Sequence, residues 1–145
     1  MNTALASNDP EQKSWQKLET LSMNIEQSYQ QLHDSVKHYD YKKIDEISPK
    51  FTKDVMAYLN ELRHLKEKLN GSISAQDVKR AFKDKILYLN QIASQLDVLK
   101  TLSKSYKKND VFLRTPELRQ IMDTEDVRIM ELEQALNAVI NLVSV

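Results

Sequence analysis

Three histidines are the residues of this sequence best suited to metal binding or phosphoryl transfer. His33 and His38 are five residues apart, which places two side chains on different faces of a helix, and no Glu-x-x-His motif accompanies them. His64 lies in a helical stretch, but the bulky residues 67–69 follow it where a phosphotransfer histidine needs a small neighbour. We therefore expect solvent-exposed histidines, and we expect no catalytic residue, metal site or cofactor.

The charged side chains do not indicate an enzyme or a nucleic-acid partner either. Asp45 with Glu46, and Glu125 with Asp126, are sequence neighbours, so the members of each pair point apart on a helix. The 21 Lys and Arg residues balance 21 Asp and Glu residues, whereas a nucleic-acid-binding protein normally has a basic excess. The absence of cysteine excludes disulfides and thiolate metal sites. The sequence contains no apolar run long enough for membrane insertion.

The elements that must position these side chains are helices with a heptad spacing of apolar residues. Such spacing keeps one seam of a helix against a partner helix in a left-handed supercoil. One Gly and three Pro among 145 residues agree with an all-α fold built from elongated coiled-coil segments. The four seams are Trp15, Leu18, Ser22, Ile25, Tyr29, Leu32, Val36 and Tyr39; Phe51, Val55, Tyr58, Leu62, Leu65 and Leu69; Val78, Phe82, Lys85, Leu89, Ile92, Leu96, Leu99, Ser103 and Tyr106; and Leu118, Met122, Glu125, Ile129, Leu132, Leu136, Val139 and Val143.

Local signals divide the coiled coil into three or four kinked helices. Ser48 as N-cap and Pro49 at the first helical position predict a helix start. The turn at Asn70–Gly71–Ser72, followed by the capping residue Ser74, predicts an αα-hairpin near Asn70–Ser74. The predicted organisation is a disordered leader at 1–12, coiled-coil helices over 13–108 with breaks near 44–49 and 70–74, a connector at 109–116, and a C-terminal coiled-coil helix at 117–145.

Polar residues interrupt the seams at Ser22, Lys85, Ser103 and Glu125. In a coiled coil such residues cost stability and fix the register and the choice of partner. They therefore favour a hetero-oligomer in which another coiled-coil chain supplies the matching groups.

The stretch from Phe51 to Phe112 resembles the coiled-coil region of FG nucleoporins from the central transport channel of the nuclear pore. The resemblance is to the type of the fifty-eight-kilodalton animal and forty-nine-kilodalton fungal members. In that family the second helix of a hairpin opens with Ile-Ser/Thr-x-Gln-Asp and an apolar residue. The matching positions here are Ile73, Ser74, Gln76, Asp77, Val78, Ala81, Ala93, Gln95, Leu96, Leu99, Lys100 and Tyr106.

The resemblance implies a structural subunit in a heterotrimer with two further channel nucleoporins, docked on an inner-ring adaptor nucleoporin at the nuclear envelope. Such a trimer anchors FG repeats for the nucleocytoplasmic transport of protein and mRNA. This sequence has no Phe-Gly dipeptide, so we expect the structural half of a longer protein. The residues expected to face the partner chains are Leu18, Ile25, Leu32, Leu62, Leu65, Leu89, Ile92, Leu96, Leu99, Leu132 and Leu136.

The alternative is a self-contained four-helix module, such as a cytoplasmic adaptor or a bacterial export-chaperone-like bundle that binds a partner helix. Four helices with short loops can satisfy their own seams. The predicted third helix, about 50 Å long at 1.5 Å per residue, is much longer than the predicted second helix and speaks against this alternative.

Overall fold

A computed structural model of the chain describes residues 10–71, 74–106 and 116–144. These residues form α1 (Pro10–Lys37), α2 (Tyr41–Asn70), α3 (Ala75–Phe82), a 3-10 turn (Lys83–Lys85), α4 (Ile86–Tyr106) and α5 (Pro116–Val143). The all-α prediction is confirmed.

The helices close into a bundle of four corners, in which α3, the 3-10 turn and α4 together form the third corner. Helix α1 packs antiparallel against α2, and the third corner packs antiparallel against α5. These two hairpins join through parallel contacts of α1 with α4 and of α2 with α5. Residues 10, 71, 74 and 143 therefore lie at one end of the bundle, and Tyr39 lies at the other.

The predicted seams form the core of this single chain. Every residue of the second seam is buried, and in the other seams Leu18, Leu89 and Leu136 are at most 1% exposed. Tyr29, Val36, Lys85 and Val143 are half-buried, Tyr39 is 76% exposed, and the side chain of Tyr106 lies outside the described residues.

Pro49 does not begin a helix, so the predicted break near 44–49 is wrong. It lies inside the continuous helix α2, and Ser48 is a buried helical residue whose Oγ donates to the Ile44 carbonyl oxygen at 2.6 Å. Asp45 and Pro49 face solvent, so water can solvate the Asp45 carbonyl that a Pro at 49 leaves without its helical donor. Helix α2 is therefore 30 residues long and matches the length of the third corner.

The break between the first two helices lies at residues 38–40 instead. Tyr39 adopts a left-handed conformation with φ 55°. The Asp40 N–H donates to the Ser35 carbonyl at 2.8 Å and the Tyr39 N–H to the Val36 carbonyl at 3.1 Å, which is a Schellman motif. The Asp40 carboxylate then caps α2 by accepting from the Lys43 N–H at 3.2 Å.

Helix α2 ends at Asn70 and α3 begins at Ala75, so the chain turns where predicted, but the two helices do not pair side by side as the predicted αα-hairpin requires. Ser74 caps α3, because its Oγ accepts from the Asp77 N–H at 3.1 Å. The helices on either side of the turn lie across a diagonal of the bundle rather than side by side. Gly71 has φ −74°, so this turn does not use the left-handed freedom of glycine.

Other predicted boundaries fall partly outside the described residues. Residues 1–9 of the leader, 107–108 of the predicted coiled-coil helices and 109–115 of the connector lie there, while α1 already begins at Pro10. Pro116 is the first residue of α5, and α5 runs without interruption to Val143. The 3-10 turn at Lys83–Lys85 was not predicted, and the polar seam residue Lys85 within it is half-buried.

Candidate interaction site

The residues predicted to face partner chains lie inside the core of this chain. All are between 0% and 7% exposed, because the other helices of the same bundle cover them. The inference that their apolar edges are incomplete within one chain is therefore corrected. Binding of another chain to them would require the bundle to open. They are Leu18, Ile25, Leu32, Leu62, Leu65, Leu89, Ile92, Leu96, Leu99, Leu132 and Leu136.

Polar seam residues likewise find partners within the chain. The Ser22 Oγ on α1 donates to the Gln95 Oε1 on α4. The Ser103 Oγ on α4 donates to the Asp126 Oδ1 on α5 at 2.7 Å. These contacts satisfy buried hydroxyl groups and fix the register of neighbouring helices. The expectation that another chain must supply the matching groups is corrected for these two positions.

Glu125 is a polar seam residue that forms ion pairs with two arginines. Its side chain is 9% exposed, and its Oε1 accepts from the Arg63 guanidinium on α2 at 2.6 Å and from the Arg128 guanidinium at 3.0 Å. Arg63 also donates to the Asn60 Oδ1 at 3.3 Å. The Arg63 Nε is buried, and none of the described residues accepts a hydrogen bond from it. The Glu125 carboxylate thus accepts from two guanidinium groups, and the buried Arg63 Nε–H has no acceptor among the described residues.

A cleft of about 170 Å³ opens beside this cluster, between α2 and α5. Its apolar lining includes Leu59, Leu62 and Ile129, and its cationic groups are Arg63, Lys66 and Arg128. Glu67 and Glu125 also line it, so the lining carries three positive and two negative charges. The Lys66 ammonium forms an ion pair with Glu131 on the α5 side of the same boundary.

Glu61 forms a second polar junction, between α1 and α2. Its carboxylate accepts from Lys17 at 3.0 Å and from the Ser14 Oγ at 2.8 Å. Burial acts to raise the pKa of Glu61, but the hydrogen bonds from Lys17 and Ser14 and the positive charges of Lys17 and His64 outweigh it, so the pKa lies below its usual value. This junction stabilises the hairpin of α1 and α2.

The outward surface of α5 carries a strip that differs from the charged surface of a typical helix. Val127, Met130, Gln134, Asn137 and Asn141 follow one another at steps of three and four residues, and all are exposed. Val127 is 61% and Met130 54% exposed. None of these five residues is charged, and residues 134–145 contain no charged residue at all. We call these five residues the α5 strip.

The histidines and paired carboxylates considered at the outset do not form a shared site. His33, His38 and His64 are all exposed. Within the described ranges, no three His, Cys, Asp or Glu side chains come together in a way that could hold a metal ion. None of the helices in those ranges combines the length and hydropathy needed to cross a bilayer.

Over the described residues, this geometry is a four-helix bundle with a small cleft between α2 and α5 and an uncharged strip along α5. A comparison of the chain with known protein families, curated proteins and solved structures gave no match.

Glu125 was predicted as a polar seam residue, whereas the two arginines that bind it and Lys66 were not. A carboxylate at a seam position indicates that a buried cation must lie nearby, but not which helix supplies it. The uncharged composition of residues 134–145 was visible in the sequence and would have pointed to the α5 strip.

Proposed function

We propose that this chain is a non-catalytic adaptor, a closed four-helix bundle that binds a helix of another protein on its outer surface. The observation that carries the proposal is the α5 strip. Large apolar side chains at Val127 and Met130 stay exposed although the chain has a well-filled core of its own. Three uncharged polar residues continue the same face, and exposed apolar side chains rimmed by polar ones are typical of interaction surfaces.

The spacing of the strip favours a helical partner. Steps of three and four residues form a straight line along α5, which matches the seam of a second helix packed in a left-handed supercoil. Gln134, Asn137 and Asn141 add amide groups, which fix register in such contacts. Because no residue of the strip is charged, covering it removes no charged group of the strip from water.

Site-specific photocrosslinking in the cells that produce the protein tests this proposal. A photoreactive residue replaces Met130 in one variant and Leu87 of α4, which is 63% exposed, in the control. We expect a discrete adduct from position 130 that maps to a helix of another protein, with none from position 87. Adding Val127→Glu should remove the adduct without changing the thermal melting curve. Identical adducts at both positions, or none at 130, would refute the proposal.

A second proposal follows from the resemblance to channel nucleoporins. Here the chain is a structural coiled-coil subunit of the heterotrimer that anchors FG repeats in the nuclear pore. The division of the bundle into two antiparallel hairpins supports it, because the hairpins could separate and expose their seams to two other chains. The N-cap at Ser74, within the matching motif, agrees with it as well.

A covalent lock between the hairpins distinguishes the two proposals. The chain has no native cysteine, so Ser22→Cys and Gln95→Cys can be joined by a short thiol crosslinker across α1 and α4. Co-expression with two channel nucleoporins, followed by light scattering, should give a heterotrimer that the lock abolishes. A heterotrimer that forms equally well when locked, or no heterotrimer at all, would refute the nuclear-pore proposal. The adaptor proposal expects locking to leave the crosslink at position 130 unchanged.

A further inference from the structure

We infer that Asn70 is a site of spontaneous covalent modification, at which the side-chain amide cyclises onto the backbone nitrogen of Gly71 and then hydrolyses to aspartate and isoaspartate. The site goes beyond the proposed adaptor function, since it depends only on the C-terminal end of α2.

The sequence contains one position at which this chemistry meets little steric resistance. Gly71 is the only glycine of the chain, and Asn70 directly precedes it. The reaction needs the backbone nitrogen of the following residue to approach the asparagine Cγ, and a β carbon on that residue hinders the approach. Glycine has no β carbon and therefore allows close approach to its backbone. Every other asparagine of the chain is followed by a residue with a side chain.

The reaction balances with water as its only co-reactant. The Gly71 nitrogen loses its proton and forms a bond to the Asn70 Cγ, the bond from Cγ to Nδ2 breaks, and ammonia leaves with that proton. Water then opens the cyclic imide at one of its two carbonyl carbons. Opening at the side-chain carbonyl gives aspartate, whereas opening at the backbone carbonyl gives isoaspartate, in which the main chain runs through Cγ.

Asn70 lies at a place where α2 can open locally. It is exposed and is the last residue of the helix. The Gly71 N–H donates to the Glu67 carbonyl oxygen at 3.0 Å, and this bond protects the nitrogen while the helix end is closed. Helix ends fray at little cost in free energy, whereas the interior of a packed helix opens rarely. Breaking this one bond frees the Gly71 nitrogen without exposing the core.

Other exposed asparagines lack both conditions and serve as internal controls. Asn60 lies in the interior of α2 and precedes Glu61, and Asn137 lies in the interior of α5 and precedes Ala138. The following residue carries a β carbon in each case. Its N–H also belongs to the helix interior, where each N–H donates to the carbonyl four residues earlier.

The modification changes both the charge and the main chain at the end of α2. A carboxylate at position 70 adds negative charge where the helix dipole disfavours it, and Glu67 lies one turn earlier. Isoaspartate also adds one methylene to the main chain between α2 and α3, which lie on opposite corners of the bundle. Modification therefore weakens the C-terminal end of α2.

Ageing of the purified full chain at mildly alkaline pH tests the site. Peptide mass spectrometry measures the conversion of each asparagine, and fragmentation that separates isoaspartate from aspartate identifies the cyclic route. The matched control is Gly71→Ala. A β carbon at position 71 lies 3.4 Å from the Glu67 carbonyl oxygen and 3.5 Å from that of Lys68, and φ −74° suits alanine, so the bundle should stay intact. A synthetic peptide of residues 66–75 gives the rate without the folded helix.

We expect aspartate and isoaspartate at Asn70, formed more slowly than in the peptide, with Asn60 and Asn137 unchanged and the isoaspartate lost in Gly71→Ala. No isoaspartate at Asn70 while the peptide forms it would overturn the inference, as would equal conversion of Asn60 or equal conversion in Gly71→Ala. Leu89→Ala separates local from global opening. Local fraying leaves the rate at Asn70 unchanged, whereas an acceleration of about thirtyfold or more would show that the whole bundle must unfold first and would overturn the inference too.

Discussion

Replacing Tyr39 by glycine should stabilise the bundle. Tyr39 occupies the left-handed position of the Schellman motif that ends α1, with φ 55°. A residue with a side chain pays about 1–2 kcal/mol for this conformation, whereas glycine adopts it without steric cost. The tyrosine ring is 76% exposed, so its removal loses little packing.

The expected gain is smaller than the relief of strain alone. Glycine increases the conformational freedom of the unfolded chain, which offsets about 0.5–1 kcal/mol. The net increase in the free energy of unfolding is therefore about 0.5–1 kcal/mol. For a chain of this size, about 1 kcal/mol corresponds to a rise of roughly 2–4 °C in Tm.

Urea denaturation followed by circular dichroism measures this difference. Tyr39→Ala is the matched control, because it removes the same ring but keeps the β carbon and hence the strained conformation. Its unfolding free energy should stay within about 0.5 kcal/mol of the wild type. If the glycine variant is no more stable than the alanine variant, the left-handed strain at position 39 does not exceed the entropic cost of glycine, and the predicted gain in stability is refuted.

Three further substitutions test the core and its buried polar groups. Tyr58→Phe should leave stability unchanged or raise it by about 1 kcal/mol, because the hydroxyl is buried and no described residue bonds to it. Burial also raises the pKa of Tyr58, so the wild type should lose stability relative to Tyr58→Phe as pH rises above 10. An identical loss of stability at alkaline pH in both proteins would contradict this prediction. Glu61→Gln should destabilise the bundle, and the loss should be largest at neutral pH because the pKa of Glu61 is lowered in the folded state. The difference from the wild type should shrink as pH falls below about 4.5. A difference independent of pH would argue against the Lys17 contact. Leu89→Ala should cost about 2–5 kcal/mol in urea denaturation because Leu89 is fully buried, whereas Leu87→Ala, at an exposed position, should change stability by less than about 0.5 kcal/mol.

The sequence predicted the buried face of each helix well, because burial along a helix follows a local period. Leu62, Leu96 and Leu132 lie in the core as their heptad spacing indicates. The same spacing cannot tell whether the opposing helix belongs to the same chain. Here α2 proved longer than predicted, so four segments of comparable length close on themselves.

The first break was misplaced because two local signals competed. Pro49 is a strong signal for a helix start, but a proline on the solvent side of a helix leaves its orphaned carbonyl accessible to water. Tyr39 fits the heptad spacing of the first seam, so the sequence did not indicate that Tyr39 is the left-handed residue that ends α1. The Asp40 cap was the signal available in the sequence.

The cleft was beyond sequence reasoning for a different reason. Arg63 and Glu125 are separated by 62 residues, and their contact depends on α2 and α5 being neighbours. That neighbour relation arises because α2 and α3, though consecutive in the chain, lie on opposite corners of the bundle, an arrangement that no local pattern encodes.

The alternation of helix directions has a mechanical consequence. Residue 10 and residue 143 lie at the same pole, so a force that pulls them apart acts across the helices rather than along them. Under such a load, contacts break a few at a time, as in a zipper, instead of many together, as in a shear joint. The bundle should therefore yield to small forces when residues 10 and 143 are pulled apart.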